Sequence, residues 1–258
     1  MSTARLSGRV AMVTGAGQGI GKAVAGELAR DGAAVAVVDI NETTAVETAE
    51  ELSRFGVMAR AYRADISHKA QVEAVVETAA SDLGDPDILI NNAGISRVGE
   101  PTHEVADEIW DTSIGIMQSG VFYCSRAIAR RLIAAHRPGS IIHISSIRGF
   151  SPNPGRLAYC ATKAAVIMMA KVMAAEWGPY GIRVNAVAPG VHKTPMWDAD
   201  VRRGLFDGSA YARLIPLRRL GEPREIGRLC VFLASDEASY ITGSCVTIDG
   251  GLTTIPSG

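Results

Sequence analysis

A doubly wound α/β fold, with a seven-stranded parallel sheet flanked by helices on both faces, is predicted by three features of the sequence. Short, β-branched, mostly continuous apolar runs alternate with longer helical patterns along most of the 258 residues. That alternation fits parallel strands buried on both faces and joined by crossover helices. A glycine-rich stretch, TGAGQGIG at 14–21, falls directly between the first apolar run and the first helical pattern. Hydrophobic residues make up 47% and charged residues 21% of the chain, ample material for a core at this length.

Taken in order, the first strand is VAMVTG (10–15), followed by a helix over about 19–31. AAVAVVD (33–39) is the second strand, with a helix over 42–55 behind it. MARAYRADI (58–66) is a weaker third strand, because its apolar residues are interrupted by arginines, and it leads into a helix over 69–83. ILINNAG (88–94) is the fourth strand, and a long helical pattern over 104–136 comes next. SIIHISS (140–146) then precedes a helix over 157–178, and IRVNAVAPG (182–190) is the sixth strand. A helix over 222–235 and the strand CVTIDGG (245–251) close the series. No repeat, low-complexity tract or linker interrupts it, so residues 1–258 read as one domain. The stretch 191–215 breaks the alternation with mixed polar, aromatic and proline residues, the character of a lid or substrate loop.

A net charge of −1 without acidic or basic blocks argues against nucleic acid or a charged membrane surface as partner. The N-terminus shows no signal pattern, and no apolar run reaches the roughly 18 residues a membrane helix needs. Cys124, Cys160, Cys230 and Cys245 are far apart with no C-x-x-C, which fits reduced, buried thiols in a cytoplasmic protein. No histidine has metal-ligand spacing, so no catalytic metal is expected.

The glycine loop departs from strict G-x-G-x-x-G, since Ile20 holds the sixth place counted from Gly15. The spacing that fits is G-x-x-x-G-x-G through Gly15, Gly19 and Gly21, with Gln18 and Ile20 between them. Glycines at a strand-to-helix turn let the backbone approach a pyrophosphate, whose charge sits at the positive end of the helix. This places a Rossmann-type dinucleotide site at the first turn. Asp39 ends the second strand, where a carboxylate accepts hydrogen bonds from ribose hydroxyls and repels an added 2′-phosphate. Ile40 and Asn41 follow it, so no cation in the loop is placed to receive such a phosphate, and NAD is favoured over NADP.

Tyr159 and Lys163 stand four apart at the start of a helix, on one face. A tyrosine pKa near 10 is too high for a base at neutral pH, and a nearby ammonium lowers it. Ser146 ends the fifth strand at the sheet's carboxyl edge, where open α/β sheets bind ligands.

With TGAGQGIG, Asp65 in ADIS, NNAG at 91–94, Ser146, Y-x-x-x-K at 159–163 and PGVHKT at 189–194 all in order, the chain resembles the short-chain dehydrogenase/reductase family in its classical branch, from about Val10 to Gly251. The resemblance implies a proton exchanged between Tyr159 and the substrate oxygen. It implies a Lys163 that lowers the phenol pKa and bonds the nicotinamide ribose, and a Ser146 that orients the carbonyl or carbinol. It also implies Asp65 and Ile66 beside the adenine, Asn91, Ala93 and Gly94 along the cofactor channel, and Pro189, Val191 and Thr194 at the nicotinamide end. Homotetramers are usual in this family. A secondary alcohol and its ketone are the implied substrates, with a polyol or sugar-like alcohol suggested by bacterial members.

One position departs from the family's pattern. In WDTSIGIMQSGVF (110–122), Trp110, Asp111, Gly120 and Phe122 fix the register, and Met117 stands where the family carries asparagine. Methionine keeps the backbone carbonyl that the family uses to hold a water and loses both amide groups. Gln118 and Ser113 are the nearest polar substitutes. The alternative function this opens is a weakly active or non-catalytic NAD-binding protein.

Other residues are weighed by place. His143 inside the fifth strand reads as a satisfied, mostly buried histidine, and His192 as a loop histidine, solvated or touching substrate. Arg148 and Arg156, between Ser146 and Tyr159, suit either an anionic group on the substrate or an ion pair. Asn153, Met196 and Trp197 are positional candidates for the substrate pocket wall. The apolar helix 164–175 and the 104–136 pattern are candidate subunit surfaces.

Overall fold

The computed structural model describes residues 4–96, 101–204 and 207–254. Seven parallel strands lie in the order β3-β2-β1-β4-β5-β6-β7: β1 (Val10–Thr14), β2 (Ala34–Asp39), β3 (Ala59–Arg63), β4 (Ile88–Asn91), β5 (Gly139–Ile144), β6 (Ile182–Pro189) and β7 (Cys245–Ile248). The predicted doubly wound sheet is thus present. Strand order reverses between β1 and β4, which opens a crevice at the strands' carboxyl ends.

The two-residue period divides each strand between two cores. Ala11, Val13, Val35, Val37, Ile88 and Ile90 face α1 (Gly19–Arg30), α2 (Glu42–Ser53) and α9 (Pro223–Ala234). Val10, Met12, Ala36, Val38, Leu89 and Ile141 face the other side, where α3 (Lys69–Leu83), α5 (Gly120–Ala134) and α6 (Leu157–Trp177) pack. All five β1 residues are buried, which is why that strand reads as an unbroken apolar run.

One expectation is corrected and another gains detail. The single helix expected over 104–136 is a 3₁₀ turn (Thr102–Glu104), then α4 (Asp107–Ile114), a π turn (Gly115–Ser119) and α5. A π turn takes up an extra residue and shifts the side-chain phase of the helix beyond it. It does so here without an asparagine at position 117. The stretch 191–215, expected as a lid or substrate loop, carries two short helices, α7 (Pro195–Arg202) and α8 (Gly208–Leu214), with residues 205–206 outside the described set. Both helices have start signals. The Thr194 hydroxyl accepts from Trp197 N at 3.1 Å ahead of Pro195, and Asp207 Oδ1 accepts from Ser209 N and Ala210 N at 2.9 and 3.1 Å. Each helix is shorter than the apolar periodicity needed to reveal it.

By length and hydropathy alone, one helical stretch among the described residues, Leu157–Tyr180, passes as a membrane span, contrary to the expectation that no run approaches that length. In the fold it packs on the sheet through Val166, Ala170, Met173 and Ala174.

Candidate active site

Thr14 and Asn92 tie the ends of β1 and β4 together. The Thr14 hydroxyl accepts from Asn92 N at 3.0 Å and Ala93 N at 3.2 Å, and Asn92 Nδ2 donates to Thr14 O and Gly15 O at 3.0 Å each. The glycine loop closes against this knot. Gly15 has φ +63° and lies so near Ala93 that a Cβ would come within 2.8 Å of its Cα; at Gly21 a Cβ would meet Gly15 O at 2.1 Å. Ahead of α1, Gln18 contributes no side-chain cap, and no acidic residue lies in the first turn. The helix's first N–H groups therefore face the cleft without an internal anion, as a pyrophosphate site requires. A cleft of about 390 Å³ runs along this edge. It is lined by Gly15, Gln18, Gly19 and Ile20, by Asp39, Asp65 and Ile66, by Ala93 and Gly94, and by Ser146, Tyr159, Lys163, Pro189, Thr194 and Met196. Its donors, glycines and ends suit an extended dinucleotide.

Some candidates lie elsewhere. Asn91 does not line the cleft: its side chain turns into the core, donating to Ser125 Oγ at 2.9 Å and approaching His143 Nδ1 at 3.1 Å. The strand's two-residue alternation gives the lining place to Asn92, and the motif alone does not say which asparagine faces which way. Gly21 supports the loop from behind. Val191 accepts from Gly221 N at 3.0 Å and lies outside the cleft lining. Arg148, Asn153, Arg156 and Trp197 are also outside this lining, Arg148 reaching from the turn after Ser146 to Tyr211 and Trp197 packing edge-on against Tyr211 with ring centroids 5.4 Å apart. His192 is neither solvated nor in the cleft: it is buried against Gly221, approaching Gly190 O at 3.2 Å.

Asp39 accepts from Gly17 N at 2.8 Å through one oxygen and from Asn41 N at 3.0 Å through the other. Asp65 accepts from the Ser67 backbone and hydroxyl at 3.0 and 2.7 Å.

Ser146, Tyr159 and Lys163 come together at the β5 end of the cleft. Ser146 starts a 3₁₀ turn (Ile147–Gly149), its hydroxyl accepting from Arg148 N at 3.1 Å. Lys163 Nζ lies 5.6 Å from the Tyr159 ring centroid and donates to Ile144 O at 2.8 Å. Burial pushes the lysine down to about 8. Burial also raises the tyrosine pKa above its ordinary value, against the lowering influence of the Ser146 hydroxyl and the Arg156 and Arg148 charges. The expected lowering of the phenol is thus not seen in the ligand-free site. Without ligand, desolvation prevails and the phenol holds its proton.

Met117 is buried in the π turn, its sulfur 3.9 Å from Thr162 Oγ1 and close behind Gly94. Ser113 does not substitute for the missing amide, because its hydroxyl donates to Ile109 O at 2.7 Å within its own helix. Among the described residues no group of acidic, histidine and cysteine side chains forms a metal site.

His143 is fully buried, and its Nε2 has no hydrogen-bond partner among the described residues, so it is only half satisfied. Burial, with the Lys163 charge, pulls its pKa down to about 3 from 6.5. A depressed folded pKa means the unfolded chain binds the proton first, so stability from this group is complete above about pH 6.5 and lost as pH falls toward 3. Denaturation midpoints should fall over that range, and His143→Gln should flatten the slope; parallel slopes for the two proteins would refute this.

A protein-family model described as Enoyl-(Acyl carrier protein) reductase matches residues 15–253. The chain is 40% identical to oxidoreductase UcpA of Salmonella typhimurium over 255 residues, covering 96% of each chain. It is 38% identical to D-threitol dehydrogenase of Mycolicibacterium smegmatis over 253 residues, covering 96% of this chain and 94% of that one. Among solved structures, a gluconate 5-dehydrogenase from Burkholderia cenocepacia in complex with NADP and tartrate superposes with a TM-score of 0.91 at 36% identity, covering 98% of both chains. The fold, the cleft and these relatives agree: the chain is a nicotinamide-dependent oxidoreductase and belongs to the short-chain dehydrogenase/reductase family.

Proposed function

We propose that the protein interconverts a secondary alcohol, polyol or sugar-like, and its ketone with NAD, using Tyr159 as the acid and base. The carrying observation is the gathering of Ser146, Tyr159 and Lys163 at one end of a cleft that has Asp39 at the other. Bound nicotinamide supplies or accepts the hydride. The Tyr159 oxygen gives a proton to the nascent alkoxide or takes one from the alcohol, Ser146 holds the substrate oxygen, and Lys163 supplies positive charge beside the phenol. The names of two similar proteins, a threitol and a gluconate dehydrogenase, support the substrate class. Turnover of a panel of polyols, hydroxy acids and cyclic alcohols, read as reduced nicotinamide formed, tests the reading. Tight NAD binding with no turnover of any of them would favour the non-catalytic alternative.

NAD preference rests on Asp39. The carboxylate is held by two backbone N–H groups and forms no ion pair among the described residues, even with Arg63, its register neighbour on β3. At ~5 Å from a phosphate charge, an effective dielectric of 20 gives about 3 kcal/mol of repulsion per charge pair. Asp39→Ala should therefore shift the NAD/NADP ratio of kcat/KM toward NADP by about 10–100-fold. A parent enzyme that prefers NADP would contradict the assignment.

The π turn keeps its geometry with Met117, which supports an active enzyme. Met117→Asn should leave NAD affinity nearly unchanged and keep or raise kcat; a large loss of kcat would show that methionine has become part of the site's chemistry. A cytoplasmic homotetramer is proposed with this function. Exposed Met168 and Val172 on α6 and Phe122 on α5 support the assembly, which light scattering of the purified protein tests.

A further inference from the structure

The two arginines between Ser146 and Tyr159 sit in opposite electrostatic situations. Arg156 is nearly buried, donates to Ser96 Oγ at 3.2 Å and lies 3.8 Å from Asp200 Oδ2 on α7. Its charge is answered within the protein. Arg148 donates to Tyr211 OH on α8 at 2.9 Å and to Pro152 O at 3.4 Å, both neutral, and no carboxylate among the described residues lies within ion-pair distance of it. A guanidinium has five N–H donors in a planar fork, so several remain available. Tyr211 is itself braced by Trp197 from α7, which fixes the arginine between the serine's turn and the two helices of the 191–215 stretch. The place is also far from the adenosine end: β2 and β5 are three strand spacings apart, about 14 Å.

We propose that Arg148 receives a carboxylate carried by the substrate, which makes a hydroxy acid and its oxo acid the preferred pair over a neutral polyol. The proposal rests on the alcohol–ketone reading of the site above. A neutral substrate would leave a half-buried cation, on the turn that Ser146 starts, without a counter-charge, whereas a carboxylate completes its fork with charge-assisted hydrogen bonds. Arg148 lies in the 3₁₀ turn that Ser146 starts, its backbone N 3.1 Å from the serine hydroxyl, and its charge acts to lower the Tyr159 pKa, both of which put it near the chemistry. Arg156, already matched by Asp200, is a positioning residue that ties α7 to the start of α6.

The test compares gluconate with the matching neutral polyol, sorbitol, in the parent, Arg148→Gln and Arg148→Lys, each checked for an unchanged melting transition. The quantity read is the ratio of kcat/KM for acid over polyol, from which any effect of the variant on Tyr159 itself cancels. The parent ratio is expected above ten; Arg148→Gln should lower it by about 10–100-fold, chiefly through KM for the acid, the range of a lost charge-assisted bond. Arg148→Lys should recover part of it. A parent ratio near one, or equal losses on both substrates in Arg148→Gln, would overturn the proposal while leaving the alcohol–ketone reading intact. A parent that turns over neither compound nor any other alcohol would sink both. If a polyol phosphate outruns the acid and depends on Arg148, the anion is a phosphate and the carboxylate assignment fails.

Discussion

Tyr159→Phe is expected to lower kcat by about 10³-fold while changing NAD affinity by less than about twofold, since general acid–base catalysis is worth roughly 10²–10⁴. The ring stays, so packing at the start of α6 is kept; the only group lost is the oxygen. Burial holds that oxygen protonated in the ligand-free protein, which is the form needed to deliver a proton to a ketone. In the oxidative direction the same oxygen must first lose its proton. Single-turnover traces with NADH and a ketone, together with fluorescence titration of NADH binding, separate the two effects. Weakened NADH binding equal to the loss in rate would show that the hydroxyl serves the cofactor and not the chemistry.

Lys163→Met is expected to separate activity from stability. The ammonium is buried, lies 5.6 Å from the phenol ring and is held by Ile144 O at 2.8 Å. Removing its charge should lower kcat by about 10²–10³-fold. The effect on folding should go the other way. Burial brings the lysine from 10.5 down to about 8, so at neutral pH the buried charge costs on the order of 3 kcal/mol. Methionine of similar length removes that cost and gives up one hydrogen bond, worth about 1 kcal/mol. The melting temperature should therefore hold or rise as activity disappears. Because the depressed pKa penalises folding most below 8 and least above 10.5, the variant's advantage should shrink as pH rises through that window. A variant that melts well below the parent at pH 7 would show that the ammonium is a structural asset.

The strands are legible in the sequence because burial on both faces writes them as apolar runs, and the glycine loop because a close backbone approach excludes side chains. The features that stay hidden are set by neighbours in space. Asn91 and Asn92 are chemically identical, and only the phase of β4 against the sheet sends one into the core and the other to the cleft. The knot of Thr14 with Asn92 joins residues far apart in sequence, so no local pattern announces it. The π turn at 115–119 adds one residue within a continuous helical stretch and no residue type announces it, and α7 and α8 are too short to show a face. The direction of the Tyr159 shift is hidden for a related reason. Spacing along a helix gives the distance between phenol and ammonium, whereas desolvation depends on everything else packed around the ring.

The most direct test is kcat for alcohol oxidation at saturating NAD, followed side by side in the parent and Tyr159→Phe from about pH 6 to about pH 10. The parent rate should climb with a slope approaching tenfold per unit as the phenol ionises, and the variant should keep only a low rate without that climb. Matching rates and matching profiles in the two proteins would contradict the assignment of the proton to Tyr159.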